Sequence, residues 1–456
     1  MASLFKSVAA TAVALLLACG AEAQDTTTTT SSSPSACATV LKPSYSAPVV
    51  ADGWKAQLIA TDLSRPRGLK FDTKGALLVI ESGVGLKHLT FTDNGGTCLS
   101  VKSSKTVITD KDLNHGLELS QDGKTLYVSS ASTVFSYTYD PDTISATNPT
   151  RLITNMSHPS GGGHVTRTLL LSKKHPSHLL VSRGSASNLD LPSLTESSGV
   201  SQIRVFNISS EASSSFPYDY PTGGVLLARG LRNSVGVAEH PSTGGIWSVE
   251  NSADNVARGG RDVHEDNPGE ELNAHGPVPT TTNDNNNTPN NYGYPTCFAL
   301  WSPSSAPSFS TLPVGTQFAL DPANDTLCAA MTPPRLTFPA HTAPLDLKFP
   351  PTKNGSVEEA FITFHGSWNR AAPAGYKLSI LSFSPSSGEP VAQRDSIDAL
   401  RDVMSAPDVG VCGGREGGCM RPVGMAFDAA GRLWVASDAT GEVWVVMRGG
   451  EGGEGG

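Results

Sequence analysis

The chain has 456 residues, with 33 Lys and Arg against 42 Asp and Glu, and a formal net charge of −9. Only 16% of its residues are charged, so it carries no basic footprint for nucleic acid or an anionic membrane. The 45 Gly and 32 Pro fit many short strands joined by turns, and one large all-β domain is expected although the length would hold two or three average ones.

Residues 1–23 have Lys6, then the apolar run AATAVALLLAC, then Ala-Glu-Ala before Gln24. That is the pattern of a secretory signal peptide, and the apolar run falls short of the ~20 residues a membrane span needs. No later stretch is apolar for long enough either, so the protein is expected to be secreted, extracellular and free of the membrane. Residues 24–36 form a Thr/Ser-rich linker. Beyond the signal there are six cysteines, Cys37, Cys98, Cys297, Cys328, Cys412 and Cys419. An even count in an oxidising compartment implies disulfides. Six cysteines allow about 15 pairings; the spacings favour Cys297–Cys328 and Cys412–Cys419, which leaves Cys37–Cys98. Glycosylation sequons at Asn155, Asn207, Asn286, Asn324 and Asn354 agree with secretion.

Residues 54–61 (WKAQLIAT) alternate like a strand. A cadence then begins at residues 67–89 (RGLKFDTKGALLVIESGVGLKHL): period-2 apolar alternation broken by Gly and Asp turns. It returns at residues 115–137 and 420–447, with looser copies starting near His164, Arg232 and Ala343. Six copies of one antiparallel unit predict a six-bladed β-propeller of four-stranded blades over residues 37–447, with a ligand site at one end of the central channel. The strand at 54–61 is placed to close the ring on the last blade. Residues 448–456 are a Gly/Glu tail.

The entry to each repeat carries the chemistry. Arg67 stands there in the first copy, as a ligand contact or as a hydrogen-bond donor between blades. In PSGGGHVTRTLLL three glycines let the backbone approach a ligand, and His164 follows them. It reads either as a general base, its pKa near neutrality, or as a structural histidine bonded to a neighbouring blade. Arg232 and Asn233 open the next repeat, and Arg suits bidentate carboxylate binding. Residues 262–273 (DVHEDNPGEELN) gather Asp262, Glu265, Asp266, Glu270 and Glu271, which reads as a hard-oxygen Ca²⁺ cluster or as a solvated acidic loop. In AFITFHGSWNR a strand runs into His365, Trp368, Asn369 and Arg370, where Trp368 either stacks on a flat ring or packs a blade. Arg421 holds the last entry. If the repeats are radial these residues converge, and three arginines around a histidine and an aromatic plate point to a flat, polyanionic ligand.

The motifs GGGHVTRTL, GLRNSVGV, ENSADN, DNPGEELN with NYGYP, FHGSWNR and CMRPVGMAF, in that order, resemble those of fungal pyrroloquinoline quinone (PQQ)-dependent pyranose dehydrogenases, relatives of the bacterial soluble glucose and sorbosone dehydrogenases. The likeness covers residues 37–447. It implies a secreted, monomeric quinoprotein that oxidises the C1 hydroxyl of pyranose sugars, with PQQ and Ca²⁺ at the propeller axis. By motif match His164 is the base; Arg67, Arg232, Asn233, Asn369 and Arg421 hold the cofactor, and His365 and Trp368 line its pocket. Backbone carbonyls of Asn251, Ser252 and Ala253 are implied ligands of the catalytic Ca²⁺, and Glu270 and Glu271 with the backbone near Tyr292 hold a second, structural ion. The longest family architecture adds a haem domain and a cellulose-binding module. This chain shows only the linker and the tail in those places, so electrons are expected to pass to an external acceptor: a haem protein, a quinone or a copper polysaccharide oxygenase. Two rival classes stay in view, a Ca²⁺-dependent six-bladed hydrolase such as a lactonase and a non-catalytic glycan-binding propeller.

Overall fold

Period-2 alternation buries one face of each strand against the next sheet, and the glycine and aspartate breaks turn the chain back on itself. The computed structural model describes residue 37 and residues 40–158, 161–281, 288–352, 356–413 and 418–450. The expected signal peptide and linker, residues 451–456 and the sequons at Asn286 and Asn354 lie outside the described residues. Six antiparallel sheets form the blades of a β-propeller. Their innermost strands are Pro66–Phe71, Leu113–Leu119, Leu169–Leu171, Ser234–Glu239, Pro344–Lys348 and Pro422–Phe427, in the places where the six sequence copies begin.

The four-stranded expectation holds for the first, fourth and sixth blades, while the second, third and fifth each carry a fifth strand at the outer edge. Tyr218–Asp219 and Asn290–Asn291 add to the second and third blades in parallel, and Val49–Val50 adds antiparallel to the fifth. Such two-residue additions carry no repeat signal, so alternation could not announce them. The ring closes as predicted: Trp54–Ala60 pairs antiparallel with Glu442–Arg448, Trp54 opposite Arg448. The Arg448 guanidinium lies 4.5 Å from the Trp54 ring centre. The three disulfides are Cys37–Cys98, Cys297–Cys328 and Cys412–Cys419, the pairs the spacings favoured. Among the described residues no helix is long and apolar enough to cross a membrane.

Apolar clusters fill the wedges between blades; Trp434, Leu77 and Val443 lie between the first and sixth. At the axis the inner strands come closer than side chains allow. A Cβ on Gly424 would lie 2.0 Å from the Arg67 carbonyl oxygen, and one on Gly68 would lie 2.2 Å from that of His115. Glycine is therefore a packing requirement where adjacent blades touch. Val235, Leu345 and Val423 from three blades form a buried plug in the channel. Gly424→Ala is expected to force the sixth blade off the first and to lower stability by about 1–3 kcal/mol, as overpacking does, read as a lowered Tm in thermal unfolding. An unchanged Tm would mean that the blades separate freely.

Candidate functional site

The chain enters each inner strand from the same end of the channel, so residues just before those strands are presented together there. A cavity of about 350 Å³ opens at that end, and Arg67, His164, Arg232, Asn233, His365 and Trp368 line it. Asn251 and Ser252 from the loop after Glu250, and Glu270 from the next strand, also line it. Nine of the fourteen residues given a site role by the resemblance thus meet at one place. The plug residues Val235 and Leu345 form its floor.

His164 leads into its blade's inner strand and sits against the second strand's end. Its Nδ1 lies 3.0 Å from the Ser185 hydroxyl and 3.1 Å from the Ser185 carbonyl oxygen. Burial, reinforced by the Arg232 charge, pushes its pKa down to about 3, so the ring is neutral at physiological pH. Arg232 is held from every side. It donates to the Asn188 carbonyl and side-chain oxygens, to the Asn251 and Ser252 carbonyls, and to Asp254 at 2.8 Å. Arg67 donates to Asp438 at 2.7 Å, and the other oxygen of Asp438 meets His365 Nε2 at 2.7 Å. Burial works to raise the Asp438 carboxyl, but His365 and Arg67 outweigh it and hold it below the usual carboxylate range.

Three acids stand around the Asn251–Ser252 turn. Glu270 accepts from the backbone N–H groups of Ser252 and Ala343, tying the fourth blade to the entry of the fifth; burial pushes its pKa up to about 6. Glu250 accepts from the Arg232 N–H, and burial followed by the charge of Glu271 raises it too. Asp254 binds Arg232, faces His341 Nδ1 at 3.4 Å and receives the Asn369 amide at 3.4 Å.

The remaining predicted residues are placed differently. Arg421 lies behind the wall: it donates to the His365 and Gly366 carbonyls and stacks over Tyr376. Its blade entry points the guanidinium along the loop that carries His365. Asn369 reaches the site only through Asp254. Ala253 is buried in an apolar cluster with Val256 and Phe298. Glu271 follows Glu270 on one strand, so their side chains leave opposite faces, and Glu271 accepts from Asn273. Burial pushes Glu271 up to about 7. The Tyr292 carbonyl already accepts from Gln317, and its hydroxyl donates to the Ala274 carbonyl. The acidic stretch also divides: Asp262 pairs with His264, Asp266 with Arg370, and Glu265 accepts from the Ala371 N–H. Among the described residues no three His, Cys, Asp or Glu side chains gather as a metal would require.

Sequence reasoning missed Asp254, His341, Asp438, Asn188 and Ser185. Asp254 stood inside the ENSADN motif, where only the backbone drew attention. His341 opens its repeat in PAHTAPL as His164 does in its own, and that parallel was the available signal.

The TrAA12-like family profile matches residues 48–449. The chain belongs to this family. It is 46% identical over 422 residues to a PQQ-dependent sugar dehydrogenase of Hypocrea jecorina, covering 91% of this chain and 93% of that one. It is 37% identical over 429 residues to a PQQ-dependent pyranose dehydrogenase of Coprinopsis cinerea, covering 90% of this chain and 56% of that relative's length. Among solved structures, a calcium structure of a family AA12 enzyme from Trichoderma reesei superposes with TM-score 0.83 at 45% identity, covering 90% of this chain and all (100%) of that one. The holo PQQ domain of the Coprinopsis cinerea pyranose dehydrogenase gives 0.81 at 35% identity, covering 90% and 99%.

The Asp438 bridge has a thermodynamic consequence for this TrAA12-like chain. Asp438→Asn leaves Arg67 and His365 facing a neutral amide, and breaking a largely buried pair costs about 3–5 kcal/mol, measurable by denaturant unfolding at pH 7. Because the native carboxyl is held below its unfolded value near 3.9, its contribution is fully present above that value. The gap between wild type and variant should therefore close only as pH falls below it.

Proposed function

We propose that this chain is a secreted quinoprotein sugar dehydrogenase that oxidises the C1 hydroxyl of a pyranose, with PQQ and Ca²⁺ as its resident cofactors. The observation that carries the reading is the meeting of His164, Arg67, Arg232 and Asn233 in one cavity; the relatives named above support it. The residues present fit both groups. Arg67, Arg232 and Asn233 offer charged and amide donors to carboxylates and quinone oxygens. The Asn251 and Ser252 carbonyls are hard oxygens of the kind Ca²⁺ takes, and they now accept from Arg232, so a bound ion would take the place of that guanidinium. Burial raises the Glu250 and Glu270 carboxyls beside this turn, a cost that a bound cation would relieve. The calcium reading is confined to this turn.

When bound, PQQ supplies the two-electron acceptor and Ca²⁺ the Lewis acid. The protein's part is position and proton transfer. His164 Nε2, neutral and facing the cavity, takes the C1 hydroxyl proton. Trp368, 55% exposed at the rim, offers its face to the sugar ring. Asp438 and Asp254 hold Arg67 and Arg232 in position before any ligand arrives, and an anionic ligand would exchange with them as partners of fixed donors. Arg421 and Asn369 act at one remove, by fixing the His365 loop and Asp254. The electrons leave to an external acceptor: a haem protein, a quinone or a copper polysaccharide oxygenase. Asp254, Glu270, Asn233 and Asn251 line the same cavity, which is the acid and amide set a calcium-dependent hydrolase would use, so lactone hydrolysis is the control reaction.

His164→Ala should still bind PQQ but lose about 10²–10⁴-fold in kcat with an aldose substrate, the usual worth of a general base; unchanged turnover would remove His164 from the reaction. Chelation with EDTA should abolish sugar-dependent bleaching of an artificial dye, and Ca²⁺ with PQQ should restore it. Restoration by PQQ alone would contradict the calcium site, and lactone hydrolysis without PQQ would favour the hydrolase.

A further inference from the structure

We infer that Ser185 is a positioning residue for His164: it holds the imidazole in its Nδ1–H form with neutral oxygens alone and leaves Nε2 bare toward the cavity. The inference rests on His164 being the proton acceptor proposed above. Ser185 is fully buried. Both its side-chain and main-chain oxygens lie within hydrogen-bond distance of His164 Nδ1, at 3.0 and 3.1 Å. The hydroxyl's single proton is already committed, because Ser185 Oγ donates to the Ser187 carbonyl at 2.7 Å. Toward the ring both oxygens are therefore acceptors, and the ring proton belongs on Nδ1.

The backbone fixes the same arrangement. The His164 N–H donates to the Ser185 carbonyl at 2.9 Å, and the Ser185 N–H donates to the Arg232 carbonyl at 2.8 Å. Ser185 thus sits between the base and the arginine. Gly184 permits it: a Cβ there would lie 2.8 Å from His164 Cβ and 2.7 Å from Asn233 Oδ1.

No carboxylate hydrogen-bonds to His164 among the described residues. The charged and titratable groups facing it are Arg232 at the fourth blade's entry, Asp254 in the loop beyond it, and His158 on the preceding segment. Arg167 donates to the His164 carbonyl at 2.6 Å, and His158 Nε2 meets the same oxygen at 3.2 Å. A carboxylate behind an imidazole would fix the tautomer and also stabilise the imidazolium. Two neutral oxygens fix the tautomer with far less help to the charged ring. Burial and Arg232 act in the same direction. The base therefore stays unprotonated well into acid.

The test uses the full chain with ¹⁵N-labelled histidine, His164 being assigned by the signal lost in His164→Ala. In wild type without cofactor, NMR is expected to show the proton on Nδ1 and a lone pair on Nε2, with no titration between pH 5 and 8, the range in which an ordinary histidine changes charge. Ser185→Asp should bring the titration into that range and move the acid limb of kcat/KM upward with it, by at least one pH unit, a tenfold loss on that limb. Ser185→Ala should lower kcat several-fold with the sugar KM unchanged, and Ser185→Thr should restore it. A proton on Nε2 in wild type, or a Ser185→Asp protein whose His164 titrates as in wild type, overturns the inference. Should His164→Ala turn over normally, the base assignment fails while the NMR result stands on its own.

Discussion

Backbones meeting at the axis constrain everything else in this molecule. At Gly424 the neighbouring carbonyl lies where a side chain would begin, and that carbonyl belongs to Arg67. One residue thus serves two levels of structure: its main chain packs the first blade on the sixth, and its side chain enters the cavity. Because inner strands of neighbouring blades are packed this closely at Gly68, Gly116, Gly236 and Gly424, the entries before them are brought to face one another. The closing pair, Trp54–Ala60 on Glu442–Arg448, keeps the ring from opening at the one seam where sequence order would otherwise end it. It also leaves no exposed inner sheet edge there.

Within that ring the charges are balanced before any ligand binds. Arg67 has Asp438, Arg232 has Asp254, and His341 lies between Asp254 and Glu270. Three axial arginines read from sequence as the mark of a flat, polyanionic ligand. In the structure two line the cavity, each with its aspartate, and the third supports the loop behind. A polyanion entering such a site exchanges partners with fixed donors and does not simply neutralise free charge, which favours orientation over bulk attraction. The buried acids nearby are raised chiefly by loss of water, and Arg232 beside Glu250 and His341 beside Glu270 offset only part of that cost.

The repeats were legible because alternation and turn residues are local signals, and all six were placed correctly. The two-residue edge strands carry no such signal. The entry residues were legible only through the repeat: His164 and Arg232 gained meaning from occupying equivalent positions in different copies. Glu270 and Glu271 show the limit. Side by side in sequence they read as one ligand pair, yet the pleat of their strand sends them to opposite faces.

By itself, the sequence determined the number of blades, the strand that closes them, and most of the basic and aromatic residues brought to the mouth of the channel. These follow from periodicity, which neighbours in the chain can specify. Tertiary structure alone decided which aspartate holds which arginine, that Arg421 stands behind the wall, and that, among the described residues, Ser185 and no carboxylate backs His164. Those choices depend on distances between side chains far apart in the chain, and a periodic pattern carries no record of them.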